Sequence, residues 1–404
     1  MPAIVVWLLL AILALAAGAS PAHRKLSPRS MSLGLERNPG YARDGPGQYL
    51  RALKKWGVEI PNGFSNLTSI RGDVGDITAS SFNHDREFLS RVGFGTPFQY
   101  MNVDLDTGSA DVWVYTSETK AVDRGGRAVW VIENSTTAKR VPGADWKIEY
   151  GDESTANGNV YIDNIDVGGF TVKDAVVESA VEVSPLLTSD PYLGGIFGLA
   201  YGHRSQVYPH QPAVWRTMMQ QLDKQVFTTD FKWHGDDGAF TFGYIDESRH
   251  IDEIKYTPLK PGAIFWSFNF TGIHIVGQNL WYLSQWEVIA DTGTSLMLLS
   301  PDVVNTYYSA VPAARFEDST WVFPCNSSPL PDFEIGLANG WVGRVPGRYI
   351  NYTSLQDDPK TCMGGLQPID HPFGILGAVF LKSVYAVYDV AGSRIGFAHK
   401  NLDI

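Results

Sequence analysis

The chain has 404 residues, a formal net charge of −11 and only 19% charged side chains, beside 44% hydrophobic and 12% aromatic residues. That much apolar material excludes wholesale disorder, the length points to about two domains or two lobes sharing a seam, and the acidic balance argues against a protein built to grip nucleic acid. Two cysteines exclude a disulfide-rich scaffold and a cysteine-based zinc module, while 40 Gly and 23 Pro suit a turn-rich β protein better than a helical bundle.

At the amino terminus, Ala3 to Ala17 form an uncharged apolar run of 15 residues, short for a bilayer span of ~20. Ala17-Gly18-Ala19 reads as a cleavage site, so residues 1–19 are expected to be a secretory signal, the alternative being a buried terminal helix. No second apolar run and no lipid-anchor signal follow, so no membrane anchor is expected. Sequons at Asn66, Asn134, Asn269, Asn326 and Asn351 fit export and glycosylation. In an oxidising compartment Cys325 and Cys362 can pair and close a loop; two buried free thiols are the alternative. Residues 20–71 carry nine Lys and Arg against three Asp and Glu, a net of +6, which leaves −17 on the remainder. A cationic leader on an anionic body is what an electrostatically docked, removable inhibitor looks like, and a disordered linker is the bland alternative.

From Phe88 onward short β runs alternate with turn residues. Strands are expected at Phe88 to Gly95, Tyr100 to Val103, Trp146 to Tyr150, and in a hairpin of Asn159 to Val167 and Phe170 to Val177 about Gly168-Gly169. Helical periodicity is confined to pieces such as Pro212 to Leu222 and Pro301 to Val311, the latter with Ser300 as its N-cap. The fold class is therefore all-β with a few short helices.

An internal repeat organises this pattern. Asp106-Thr107-Gly108-Ser109 has its counterpart 185 residues on in Asp291-Thr292-Gly293-Thr294. Each quartet follows hydrophobic residues (Val103 and Leu105; Val288 and Ile289) and is trailed by an apolar-apolar-Gly element. In the first copy that element is Ile196-Phe197-Gly198, with Gly198 92 residues past Asp106; in the second it is Ile375-Leu376-Gly377, with Gly377 86 past Asp291. Two related lobes with a cleft between them follow. Two ordinary Asx turns are the alternative. Glycine after Asp-Thr permits tight turns and close approach, so two carboxylates can meet across a pseudo-two-fold axis. There they cannot both ionise and share one proton, as aspartic-protease pairs do. Such a pair holds a water, takes its proton with one carboxylate and donates to a carbonyl oxygen with the other.

On these residues the chain resembles the secreted fungal pepsin-type aspartic endopeptidases of the penicillopepsin group, from about Phe88 to the C-terminus. The resemblance implies a bilobal pepsin-like fold with a 72–265 lobe carrying the flap and a 266–404 lobe, preceded by a signal (1–19) and a basic propeptide (20–71). It implies Asp106 and Asp291 as the catalytic pair, Ser109 and Thr294 on their outer oxygens, Thr107 and Thr292 as braces, and Gly108 and Gly293 in the turns. Trp146 to Gly158 resembles the flap, with Tyr150 expected to donate a hydrogen bond to Trp113 and with Gly151, Asp152 and Ser154 at or near its tip, the last two able to favour lysine in the substrate. Leu53-Lys54-Lys55-Trp56 is similar to the inhibitory segment of pepsin-type zymogens, with Lys55 over the carboxylates. Polypeptide substrates, a monomer, binding of pepstatin-type inhibitors, no metal, no cofactor, and secretion (or vacuolar residence) are what it further implies. Two residues depart from the family pattern: Glu153 stands at the flap tip in place of Gly, and Ala378 in place of an Asp after the second apolar-apolar-Gly element. The rival function is a catalytically inactive binding or inhibitor protein of the same fold, expected to lack an Asp, a loop Gly or the flap Tyr. No serine-hydrolase, zincin, P-loop or dinucleotide motif is present.

Overall fold

The duplication seen in the sequence becomes a duplicated pattern of strand pairing. The computed structural model describes residues 29–39, 43–61, 88–150, 154–202, 205–233, 237–279, 281–327 and 329–402. The expected signal, Asn66, and Gly151, Asp152 and Glu153 of the hairpin tip lie outside the described residues.

In the first half, the strand Gln99–Asp106 runs parallel to Gly195–Gly198, with Asp106 opposite Gly198, and Val112–Tyr115 lies antiparallel on the other side of Gly195–Gly198. In the second half, Trp281–Ala290 runs parallel to Phe373–Leu376, with Ala290 opposite Leu376, and Met297–Leu299 lies antiparallel on its far side. The apolar-apolar-Gly elements are thus the strands that each Asp-Thr-Gly loop folds around. Their glycines are needed for contact, since a Cβ on Gly198 would lie 2.6 Å from Ser109 O and one on Gly377 2.2 Å from Thr294 O.

Four sheets result. A nine-stranded sheet holds the first repeat, and a seven-stranded and a four-stranded sheet hold the second. A six-stranded sheet, in the order 31–34, 239–242, 226–230, 385–389, 394–398 and 255–258, draws on both halves of the chain. It is cemented by aromatic packing: Phe227 stacks on Tyr388 with centroids 4.3 Å apart, and Trp266 stands edge-on to both. Fully burying side chains of this size contributes roughly 1.5–3 kcal/mol each.

The edge strand of that shared sheet, Met31–Gly34, comes from the N-terminal segment and pairs with Ala239–Phe242. The same segment then forms the helix Gly45–Lys55. Its start is marked by Asp44, whose side chain accepts from Gly47 N–H at 3.3 Å, and by a proline in the first turn; Lys54 and Lys55 occupy the last turn, where cations suit the helix dipole. Gln48, Tyr49, Ala52 and Leu53 are buried against the body, and Tyr49 Oη donates to Pro368 O at 2.5 Å.

The long hairpin has arms Lys139–Glu149 and Thr155–Val167, with Trp146 opposite Gly158 and Glu149 opposite Thr155. Gly168 and Gly169 make the two-residue turn to Phe170–Val183, both with positive φ, as a twist-matched hairpin requires. The two expected helices are shorter than their periodicity, at Val214–Gln221 and Pro301–Ser309. Ser300 occupies the N-cap position without a side-chain capping bond; Val304 N–H to Ser300 O and the first-turn charge of Asp302 hold that end instead. Cys325 and Cys362 form a disulfide, closing a separation of 37 residues within the four-stranded sheet.

Candidate active site

Each Asp-Thr-Gly loop leaves the end of a buried strand and meets its counterpart at the seam. The threonines interlock. Thr107 N–H donates to Thr292 Oγ1 and Thr292 N–H to Thr107 Oγ1, both at 2.9 Å. Their hydroxyls in turn donate to the opposite strand ends, Thr107 to Ala290 O at 2.9 Å and Thr292 to Leu105 O at 2.6 Å. Four reciprocal bonds in a dry interface leave neither loop free to slide, because any shift strands a buried polar group.

The carboxylates are held with the same symmetry. Asp106 accepts from Gly108 N–H at 2.8 Å and Ser109 Oγ at 2.6 Å; Asp291 accepts from Gly293 N–H at 3.1 Å and Thr294 Oγ1 at 2.5 Å. Lys55 completes the cluster, its Nζ lying 3.2 Å from Asp106 Oδ1 and 3.3 and 3.0 Å from Asp291 Oδ1 and Oδ2. Burial pushes both carboxyls up. On Asp106 the Lys55 charge and the Ser109 and Gly108 hydrogen bonds outweigh it and hold the group below the usual carboxylate range. Asp291 also feels the Asp106 charge and ends above that range. Lys55 is raised, burial being outweighed by its two anionic partners.

Around this cluster lies a cleft of about 370 Å³. One wall carries Ser109, Ala110, Asp111 and Gln206, the hairpin supplies Ile148, Glu149 and Tyr150, and the far wall is Phe265, His371 and Phe373. Trp56 packs edge-on against Phe265 and Phe373, centroids 5.0 and 5.4 Å away. Trp113 and Tyr150 meet at 2.7 Å, but the indole N–H donates and the phenol oxygen accepts. That corrects the expected direction, for the physical reason that indole nitrogen has a hydrogen to give and nothing with which to accept. Ser154 is buried below the hairpin tip, its carbonyl accepting from Tyr150 N–H at 2.9 Å.

The structure therefore brings together Asp106, Thr107, Gly108, Ser109, Thr292, Gly293, Thr294, Asp291 and Lys55, with Trp113 and Tyr150 above them. The other singled-out positions lie apart: Asn134 and Asn326 are exposed, while Asn269 and Asn351 are half-buried on strands. Gln206, Phe265, His371, Phe373 and the role of Trp56 escaped the sequence reading. They come from segments without motifs, and only Trp56 had a signal, its place beside Lys55. Ala378 opens a short helix behind Thr294, donating its N–H to Thr294 O at 2.7 Å. Among the described residues no cluster of His, Cys, Asp or Glu could hold a metal ion, and no helix is long and apolar enough to cross a membrane.

A duplicated β architecture with two carboxylates at its seam defines a class, the bilobal pepsin-like hydrolases. Residues 87–400 match the family described as eukaryotic aspartyl protease. Similarity extends to the aspartic protease pepA of Arthroderma gypseum, 38% identical over 367 residues, 87% of this chain and 88% of that one. It extends also to endothiapepsin of Cryphonectria parasitica, 36% identical over 94% of this chain and 92% of that one, and to penicillopepsin-3 of Penicillium janthinellum, 36% identical over 87% of each. The chain belongs to the eukaryotic aspartyl protease family and is an aspartic endopeptidase of the fungal pepsin type.

Proposed function

We propose that the protein is an exported zymogen that cleaves polypeptides in acid through Asp106 and Asp291, and that residues 20–71 are its removable inhibitor, following a signal at 1–19. The 72–265 and 266–404 lobes then face each other across the cleft, with the hairpin bearing Tyr150, Gly151, Asp152 and Ser154 as its cover. The observation that carries this reading is the Lys55 ammonium within 3.3 Å of both carboxylates.

With the segment gone, the two carboxyls share one proton and hold a water between them. The ionised carboxylate takes a proton from that water as its oxygen bonds to the scissile carbonyl carbon. The protonated partner gives its proton to the carbonyl oxygen, so a neutral tetrahedral intermediate forms without a covalent enzyme adduct. Proton transfer to the amide nitrogen then lets the carbon–nitrogen bond break. Ser109 and Thr294, donating to Asp106 and Asp291, hold the carboxyls in register.

Acid also supplies the trigger. Because the Asp106 carboxyl is depressed in the docked state, its contribution to docking is present above the ordinary carboxylate value and lost as pH falls through the depressed one. Asp291, raised, takes up its proton earlier on the way down. Lys55 then faces neutral groups and the segment is released.

Proteolysis of a denatured protein in acid, with and without pepstatin, beside Asp291→Asn, tests the chemistry. Pepstatin should abolish cleavage and Asp291→Asn should lower kcat by at least about a thousandfold. Activity indifferent to both would overturn the reading. A purified Asp106→Asn precursor that still processes itself in acid would remove the self-maturation step.

A further inference from the structure

Beyond Trp56 the cleft wall is apolar except for one ring, and that ring has a hydrogen to give. His371 stands edge-on to Phe373, centroids 4.2 Å apart at 82°. Its Nδ1 accepts from Phe373 N–H at 3.5 Å, which places the hydrogen of the neutral imidazole on Nε2. Nε2 is then the donor of the ring, and no described residue accepts from it.

No described residue of the N-terminal segment answers that donor. Those it places in the same cleft are Lys55, engaged with the two carboxylates, and Trp56, whose indole N–H is buried without an acceptor among the described residues. Phe265 and Phe373, the rings packed around these two donors, bring them no side-chain acceptor. The described part of the segment fills this place with an indole and gives the imidazole N–H no partner. A substrate side chain bearing a carbonyl oxygen would satisfy it, and that bond would favour exchange of segment for substrate.

We infer that His371 is a specificity-determining residue which, at one position near the scissile bond, selects a substrate side chain with a carbonyl acceptor: Asn, Gln, Asp or Glu. The inference rests on the endopeptidase reading. Glu149 and Asp111 line the cleft, and Asp370, exposed, adjoins His371 in the chain. They oppose a further negative charge, so the carboxamides are accepted at least as well as the carboxylates.

The test uses the full-length protein incubated in acid and peptides that share one cleavable aromatic pair. Leu, Asn or Asp is placed in turn at each flanking position, and kcat/KM is measured for wild type, His371→Leu and His371→Gln. At one position the Asn-to-Leu preference of the wild type should exceed that of His371→Leu by about tenfold, the worth of one good hydrogen bond. His371→Gln, which keeps an N–H donor, should retain part of it. Each preference is a ratio within one enzyme, so changes in folding or overall activity cancel. Equal ratios in wild type and His371→Leu at every position would overturn the inference. Failure of the wild type to cleave any of the peptides would instead sink the endopeptidase reading and this one with it.

Discussion

Gly293 has no room for a methyl group: a Cβ there would lie 2.3 Å from Asp106 Oδ1, and one on Gly108 would lie 2.7 Å from Asp291 Oδ1. Neither glycine has a positive φ, so what each provides is closeness of the two loops and not an unusual backbone. Gly293→Ala should therefore wedge the carboxyls apart while leaving the interlocked threonines to hold the lobes. The expected outcome is a fall in kcat of about a hundredfold or more with a melting temperature within a few degrees of wild type. Full activity in that variant would show that the loops have slack the geometry denies. At this scale the sequence was most informative, because a quartet that recurs with its trailing apolar-apolar-Gly element names both carboxylates and their supports. It was least informative about the cleft wall: Phe373 opens a strand, Phe265 and His371 lie in the bends just before strands, and nothing in their local sequence announces their place in the cleft.

Among the elements, the helix Gly45–Lys55 makes inhibition and folding hard to separate on the proposed zymogen reading. Tyr49, Ala52 and Leu53 bury their side chains against the body, and that apolar part of the docking is indifferent to pH; Lys55 pairs with both carboxylates. Lys55→Met should keep the helix docked yet leave Asp106 without its countercharge. Conversion of the precursor, followed on gels across a pH series, should then have its midpoint about one unit higher than wild type. An unmoved midpoint would mean that the trigger lies elsewhere. The disulfide Cys325–Cys362 acts on another element, the four-stranded sheet, by closing a separation of 37 residues. Replacing both cysteines by serine should lower stability by about 2–4 kcal/mol in urea unfolding. No loss at all would show the sheet to be held by its packing. Strand alternation and the Gly168-Gly169 turn made these elements legible. The helix ends were less so, since Pro212 to Leu222 is helical only over Val214–Gln221, with Ala213 extended before it and Leu222 extended after it.

Across the whole molecule, the −11 net charge is the sum of a +6 segment and a −17 body. A body so anionic repels itself as its carboxyls ionise, and some of them are built to stay neutral. Glu178 is the clearest. It is 1% exposed on the strand behind Trp113 and accepts from Ser205 Oγ at 3.0 Å. Burial first, then the neighbouring Asp111, pushes its carboxyl well above the ordinary range. Asp111 is itself tied to the cleft wall, accepting from Gln206 N–H at 2.5 Å. In the unfolded chain Glu178 returns to an ordinary value near 4.3. The folded state therefore binds the extra proton, and this stability is complete below the ordinary value and lost as pH rises through the raised one. Acid is thus the condition under which Glu178 costs the fold least. Glu178→Gln makes the group permanently neutral at nearly the same volume. Thermal unfolding at pH 3.5, 5 and 7 should show little difference from wild type in acid and a clear gain for Glu178→Gln at neutrality. Melting curves that fall in parallel with rising pH would mean that general repulsion among the surface carboxylates, and not this buried one, sets the pH dependence of stability.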